Sequence, residues 1–203
     1  MDDEIRKYFE RDIEVDVRGA YLSEVELLER VPERVKGEFG PDADPELIAH
    51  LEARMRVLLD KVRREQATWS EPTMNDAIDR AFEALRHNGI AAEQAVFYTM
   101  SDEWESLKAV ALRQEEPPRG VVFFAERDLP DAVNGHGLLL TFGAYEEDPR
   151  KRPAADIAIA IEACATLAAH GVPTEWRGVI TQRLQRHIVI PPFPWRRRRH
   201  DAQ

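Results

Sequence analysis

Two short runs constrain this chain more than any other feature. Val121-Val122-Phe123-Phe124 and Leu138-Leu139-Leu140-Thr141-Phe142 are almost wholly apolar at consecutive positions, and each follows a glycine, Gly120 and Gly137. Runs of this length read as strands, and a strand without a polar face must be covered on both sides. They are therefore expected at the centre of a sheet that carries helices.

The segments that can cover them lie on either side. Thr73 caps a stretch in which Ala77, Ile78, Ala81, Phe82 and Leu85 fall at three- and four-residue steps. It closes at His87-Asn88-Gly89-Ile90, and a second stretch, from about Pro153, closes in the same way at Ala169-His170-Gly171-Val172. In both, the glycine supplies the left-handed turn that ends a helix, and the apolar residue after it packs back on the last turn. Shorter helices are predicted over residues 102–113 and 128–133. Further β-rich runs at residues 94–100, 173–177 and 186–190 join residues 120–125 and 137–143 to make about five strands. The fold class is α+β: a mixed, mostly antiparallel sheet with packed helices, preceded by a helical N-terminal arm.

In that arm, residues 12–17 (Asp-Ile-Glu-Val-Asp-Val) alternate polar and apolar, which predicts a short edge strand. Ser23 and Glu26 have the spacing of a capping box and open a helix to about Val31. Residues 31–45 hold Pro32, Gly37, Gly40, Pro41 and Pro45 and read as a loop. Asp44 then caps a helix whose Leu47, Leu51, Met55, Leu58 and Val62 form one apolar stripe. That stripe is expected to bury on the following domain. The chain divides into residues 1–72 as the strand and helical arm packed on the main domain, residues 73–195 as the α+β domain, and residues 196–203 as a basic tail.

Charge is unevenly placed. Residues 1–72 carry 12 basic and 19 acidic side chains, residues 73–194 carry 12 and 18, and residues 195–203 carry 4 and 1. An acidic body repels phosphate backbones and argues against nucleic acid as the main partner. No apolar run approaches the roughly 18 residues of a spanning helix, so no membrane association is expected. The acidic start, Met1-Asp2-Asp3-Glu4, lacks the basic region of an export signal, and the single Cys164 suits a reducing compartment; both point to the cytoplasm.

The ordered motifs resemble a bacterial domain-of-unknown-function family. They are Thr73-x-x-Asp76-x-Ile78-x-x-Ala81-Phe82-x-x-Leu85 with Gly89-Ile90; Val122-Phe123-Phe124 leading to Asp128-x-x-x-Ala132-Val133; Gly137-Leu138-x-Leu140-x-Phe142-Gly143-Ala144; Trp176-x-Gly178 with Arg183; and Trp195-x-x-Arg198. The resemblance covers about two thirds of the chain and implies architecture rather than mechanism. The resemblance implies a cysteine cluster after the Gly-Ile helix end, as many members of that family carry. Here the place reads Ala95-Val96-Phe97-Tyr98-Thr99-Met100, so any role of that cluster is lost.

The polar residues give little sign of assembled chemistry. Cys164 sits among apolar neighbours on a helix, the six histidines have no metal-ligand spacing, and Gly135-x-Gly137 precedes a strand where a dinucleotide site needs a helix. No catalytic residue, metal or cofactor is expected. Asp128 reads as the cap of the helix that begins at Leu129-Pro130, and Gly135 and Gly137 as turn residues around His136. If a ligand site exists, Asp128, His136, Tyr145 and Trp176, drawn from different strand ends, are its candidates. The tail, with Trp195 followed by Arg196, Arg197, Arg198 and Arg199, reads as a chain end that pins its tryptophan and folds its arginines over the acidic body; a phosphate or anionic lipid is the other use of such a run. The function these features favour is a non-catalytic cytosolic protein-interaction or regulatory module whose acidic surface suits a basic partner. The alternative is a small-ligand-binding protein or enzyme with its pocket near Asp128, His136 and Trp176.

Overall fold

A computed structural model describes residues 3–70, 72–96, 103–111, 113–176, 178 and 187–199. The chain forms two compact units, Met1–Thr73 with Arg196–Gln203, and Met74–Trp195.

Among its described residues the first unit holds three helices, α1 (Asp3–Gly19), α2 (Glu24–Phe39) and α3 (Pro45–Gln66). The expected strand over residues 12–17 is instead the second half of α1. Ile13 and Val17 are four residues apart and so satisfy a helix as well as a strand, and Phe9 extends the same ladder by one turn; all three are buried. The expected loop over residues 31–45 is also overturned, because α2 runs through Pro32 and Gly37 to Phe39. Proline there forfeits one backbone hydrogen bond. Burial of Leu27, Val31 and Val35 on one stripe outweighs that loss, and Gly40, with φ of 81°, ends the helix. The stripe of α3 needs no other domain: Leu47, Leu51, Met55, Leu58 and Val62 share one core with Phe9, Ile13 and Val17 of α1 and Leu27, Val31 and Val35 of α2. Charged residues tie the helices at the rim, with Arg34 on Asp16 at 3.0 Å, Arg18 on Glu65 at 3.0 Å and Arg63 on Glu24.

The second unit places α4 (Met74–His87), β1 (Ala91–Val96), α5 (Glu103–Ala111), β2 (Gly120–Ala125), α6 (Leu129–Val133), β3 (Leu138–Ala144), α7 (Arg152–Ala169) and β4 (His187–Ile190) in chain order. Among the described residues the sheet has four strands rather than about five, in the order β1-β2-β3-β4. Of the two outer runs, the described part of residues 173–177 contributes a single bridge, Glu175 to Val189. The strand expected over residues 94–100 begins earlier, at Ala91; residues 97–100 lie outside the described residues, as do Asp102, Arg177, Arg183 and Arg186. β1 runs parallel to β2, and the other two pairs are antiparallel. The two apolar runs are indeed the central strands.

The sheet's faces differ. Phe124 meets Phe82 of α4 edge-on at 6.2 Å, and Leu138, Leu140, Phe142, Ile188 and Ile190 on the same side are buried. α7 is fastened to this side by the wholly buried Asp156, whose Oδ1 accepts the N–H of Ala144 at 2.7 Å. On the opposite face Val121 and Phe123 cluster with Leu107 and Ala111 of α5 and with Tyr145. α5 thus packs over the β1–β2 half of that face.

Candidate functional site

The second face becomes polar where it leaves α5. The strand register aligns Glu93 with Phe123, Phe123 with Thr141, and Thr141 with His187, so one row crosses all four strands with its side chains on the same side. Thr141 Oγ1 and His187 Nδ1 share a hydrogen bond of 3.2 Å. Burial pushes the imidazole of His187 below the ordinary histidine range; the negative charge of Asp128 opposes this and the positive charge of Arg127 adds to it. His187 is therefore a neutral base at pH 7. At the other end of the row, loss of water raises the carboxyl of Glu93, with Arg86 opposing. Burial, helped by the charge of Glu93, lifts the Tyr145 phenol to about 12.

Below this row in register, Leu139 faces Val189 across β3 and β4. Each is 37% exposed, whereas their strand neighbours on the helix side are at most 2% exposed. Glu175, bridged to Val189, borders the pair. A cleft of about 390 Å³ opens between β1 and α5, with Glu93, Val96, Leu107 and Gln114 among its walls. Another, of about 480 Å³, lies where β3 meets α7 and is lined by Arg119, Tyr145, Glu146, Glu147 and Ile159. Arg119 is engaged there by Glu162 at 2.9 Å.

Of the four residues singled out from the sequence, Tyr145 lines the cleft between β3 and α7. Asp128 does not cap α6. Its Oδ2 reaches back to accept the N–H of Ala125 at 2.9 Å, because residues Glu126–Asp128 already form a 3-10 turn continuous with α6 and Asp128 is its third residue, not the one before a helix start. His136 is 70% exposed, its ring 3.6 Å from Asp131, in a turn where Gly135 and Gly137 have φ of 79° and 100°. The close backbone approach at Gly137 is to β4, since a Cβ there would stand 2.6 Å from Ile190 O. Tyr145 follows the far end of β3, about 20 Å of strand away from His136. Trp176 packs edge-on against Phe142 at 5.7 Å, on the helix-covered side of β3. Cys164 is half-buried, and burial raises its thiol away from the reactive thiolate.

Thr141 and His187, which do meet, carried no motif, and neither did Glu93 at the other end of their row. Alternation marks each as a strand residue, but only the register between strands brings them into one row.

The tail lies in the helical unit, apart from its tryptophan. Trp195 packs on Phe193 at 5.9 Å in the second unit. Arg197 sits over the ring of Tyr21 at 4.1 Å and Arg198 over Trp69 at 6.0 Å. Arg199 is 9% exposed, and its guanidinium donates to Val17 O at 3.0 Å and Leu22 O at 2.5 Å. Among the described residues no group of three or more His, Cys, Asp or Glu side chains is placed to hold a metal ion, and no helix is long and apolar enough to cross a membrane.

One family, the domain of unknown function DUF6891, matches residues 2–199. The chain belongs to DUF6891. No curated protein and no solved structure matches it. The match spans both units and ends on Arg199, so the DUF6891 domain includes the helical unit and the arginine segment as well as the sheet.

Proposed function

We propose that this DUF6891 protein acts by binding a partner protein in the cytoplasm, without catalysis or cofactor, and that the partner docks on the sheet face of residues 73–195. The observation that carries this reading is the exposure of Leu139 and Val189. They are cross-strand neighbours held rigidly by β3 and β4, and they stay open while every apolar residue on the other face of the same strands is buried. Exposed apolar side chains fixed side by side, with a polar rim of Thr141, His187 and Glu175, have the make-up of a contact surface. The net charge of −10 favours a partner with a basic surface and speeds its encounter.

The test compares the full chain with its Leu139→Lys/Val189→Lys variant as baits in lysate of the source organism, with captured proteins quantified by mass spectrometry. The variant exposes lysines where leucine and valine stood and is checked for an unchanged melting temperature. A protein held by the native chain and lost by the variant supports the reading. Identical captured sets overturn it.

A further inference from the structure

The tail's seat has the parts of a peptide-binding site. α1 ends at Gly19, and the residue after it, Ala20, takes a φ of 59°, turning the chain away. That turn leaves carbonyls at the negative end of the helix without helical partners. The Arg199 guanidinium fills this end through its bond to Val17 O and reaches Leu22 O in the connection to α2 with the same planar fork, which answers two acceptors at once. The side-chain amide of Gln66 then brackets the backbone of the same residue: its Oε1 accepts the Arg199 N–H at 3.0 Å and its Nε2 donates to the Arg199 O at 3.2 Å. A side chain and a main chain are thus read together, as in the capture of an extended peptide. Tyr21 and Trp69 hold the two preceding guanidinium groups over their faces. A cleft of about 380 Å³ continues beside the seat, lined by Arg63, Trp69 and Arg198.

These contacts join residues far apart in sequence, Val17 and Leu22 with Arg199, across a chain that builds the whole second unit in between. The segment's hold on the seat is therefore that of a tethered ligand, occupied because its effective concentration is high. We infer that the helical unit is a receptor for an arginine-bearing peptide, filled in its resting state by the chain's own residues 197–199, and that a basic partner enters by displacing them. This names the recognition element of the basic partner proposed above, and rests on that reading only for there being a partner; the peptide site itself is tested without one.

The experiment uses a fluorescein-labelled synthetic peptide with the sequence of residues 194–203 and two full-length chains, native and Arg199→Ala. The native peptide is expected to bind the Arg199→Ala chain saturably at one to one, and the native chain, whose seat is filled, about tenfold or more weakly. A peptide with lysine at the position of Arg199 loses about tenfold on the variant chain, because a point ammonium on a flexible stem does not reproduce the planar fork that spans the two carbonyls. Absence of binding to an Arg199→Ala chain with native circular dichroism, or equal binding of the arginine and lysine peptides, overturns the proposal. Should the variant misfold, hydrogen exchange on the native chain decides. An excess of peptide is expected to speed exchange at residues 197–199 while α1 stays protected, and unchanged exchange of the tail refutes displacement. Capture on the Leu139 and Val189 face is scored separately, so either reading can fail alone.

Discussion

Asp156 is the most informative single position in the sheet unit. It is wholly buried on α7, and its Oδ1 accepts the Ala144 N–H at 2.7 Å, fastening the helix to the last residue of β3. Asp156→Ala leaves that N–H buried without its acceptor. Stranding a buried donor costs about 1–3 kcal/mol, because the N–H keeps its desolvation cost without a partner. The small void adds to this, while removal of a buried polar side chain offsets part of it. The net expectation is a loss of about 2–3 kcal/mol. For a unit of roughly 120 residues, at an unfolding entropy of about 2 cal/mol/K per residue, this lowers the melting temperature by about 8–12 °C. Asp156→Asn keeps an oxygen where Oδ1 stands and is expected to cost about 1 kcal/mol or less. Differential scanning calorimetry of the three full-length chains reads these shifts directly. An alanine variant within about 0.5 kcal/mol of the native chain, or an asparagine variant as damaged as the alanine one, would show that the bond to Ala144 is not what holds α7 to the sheet.

Gly120→Ala places a Cβ 2.4 Å from Gly143 O and 2.9 Å from the side chain of Ile159, so β2 and β3 must separate; urea denaturation is expected to show about 1–3 kcal/mol of lost stability. Ser23→Ala removes the side-chain acceptor of the Glu26 N–H at the start of α2, and the same measurement is expected to show a loss of about 0.5–2 kcal/mol. His187 is held below its unfolded value, so the unfolded chain binds more protons: its contribution is intact above the ordinary histidine range and declines as pH falls through that range toward the lower folded value. A His187→Gln chain should lose less stability between pH 7.5 and 5.5 than the native chain, and equal losses would contradict the assigned direction.

Much of the second unit was legible from residue pattern alone. The consecutive apolar runs at Val121 and Leu138 became β2 and β3, and the Gly89 and Gly171 endings closed α4 and α7. Those features are local: a run with no polar face has one kind of home, and a glycine past an apolar stripe has one kind of turn. The N-terminal unit misled for an equally physical reason. Alternation over residues 12–17 fits a strand, yet Ile13 and Val17 also lie one helical turn apart, and the neighbouring helices decided between the two periods by burying that side. Pro32 likewise signals a break, but the buried stripe on either side of it carries α2 through.

The candidate surface was the least legible part. Asp128 and His136 stand out in the sequence because turns draw attention to polar residues, and both are engaged in local turn geometry. Glu93, Thr141 and His187 look ordinary in the chain and fall into one row only through the register of four strands, while Arg199 meets Val17 and Leu22 only after the chain has closed on itself. What the amino-acid order determined by itself is the set of helices and strands whose periodicity admits one answer, together with the acidic balance of the body. Which side chains stand together was decided by tertiary structure alone, because strand register and the return of the tail depend on burial and hydrogen bonds between residues that no short window of sequence contains.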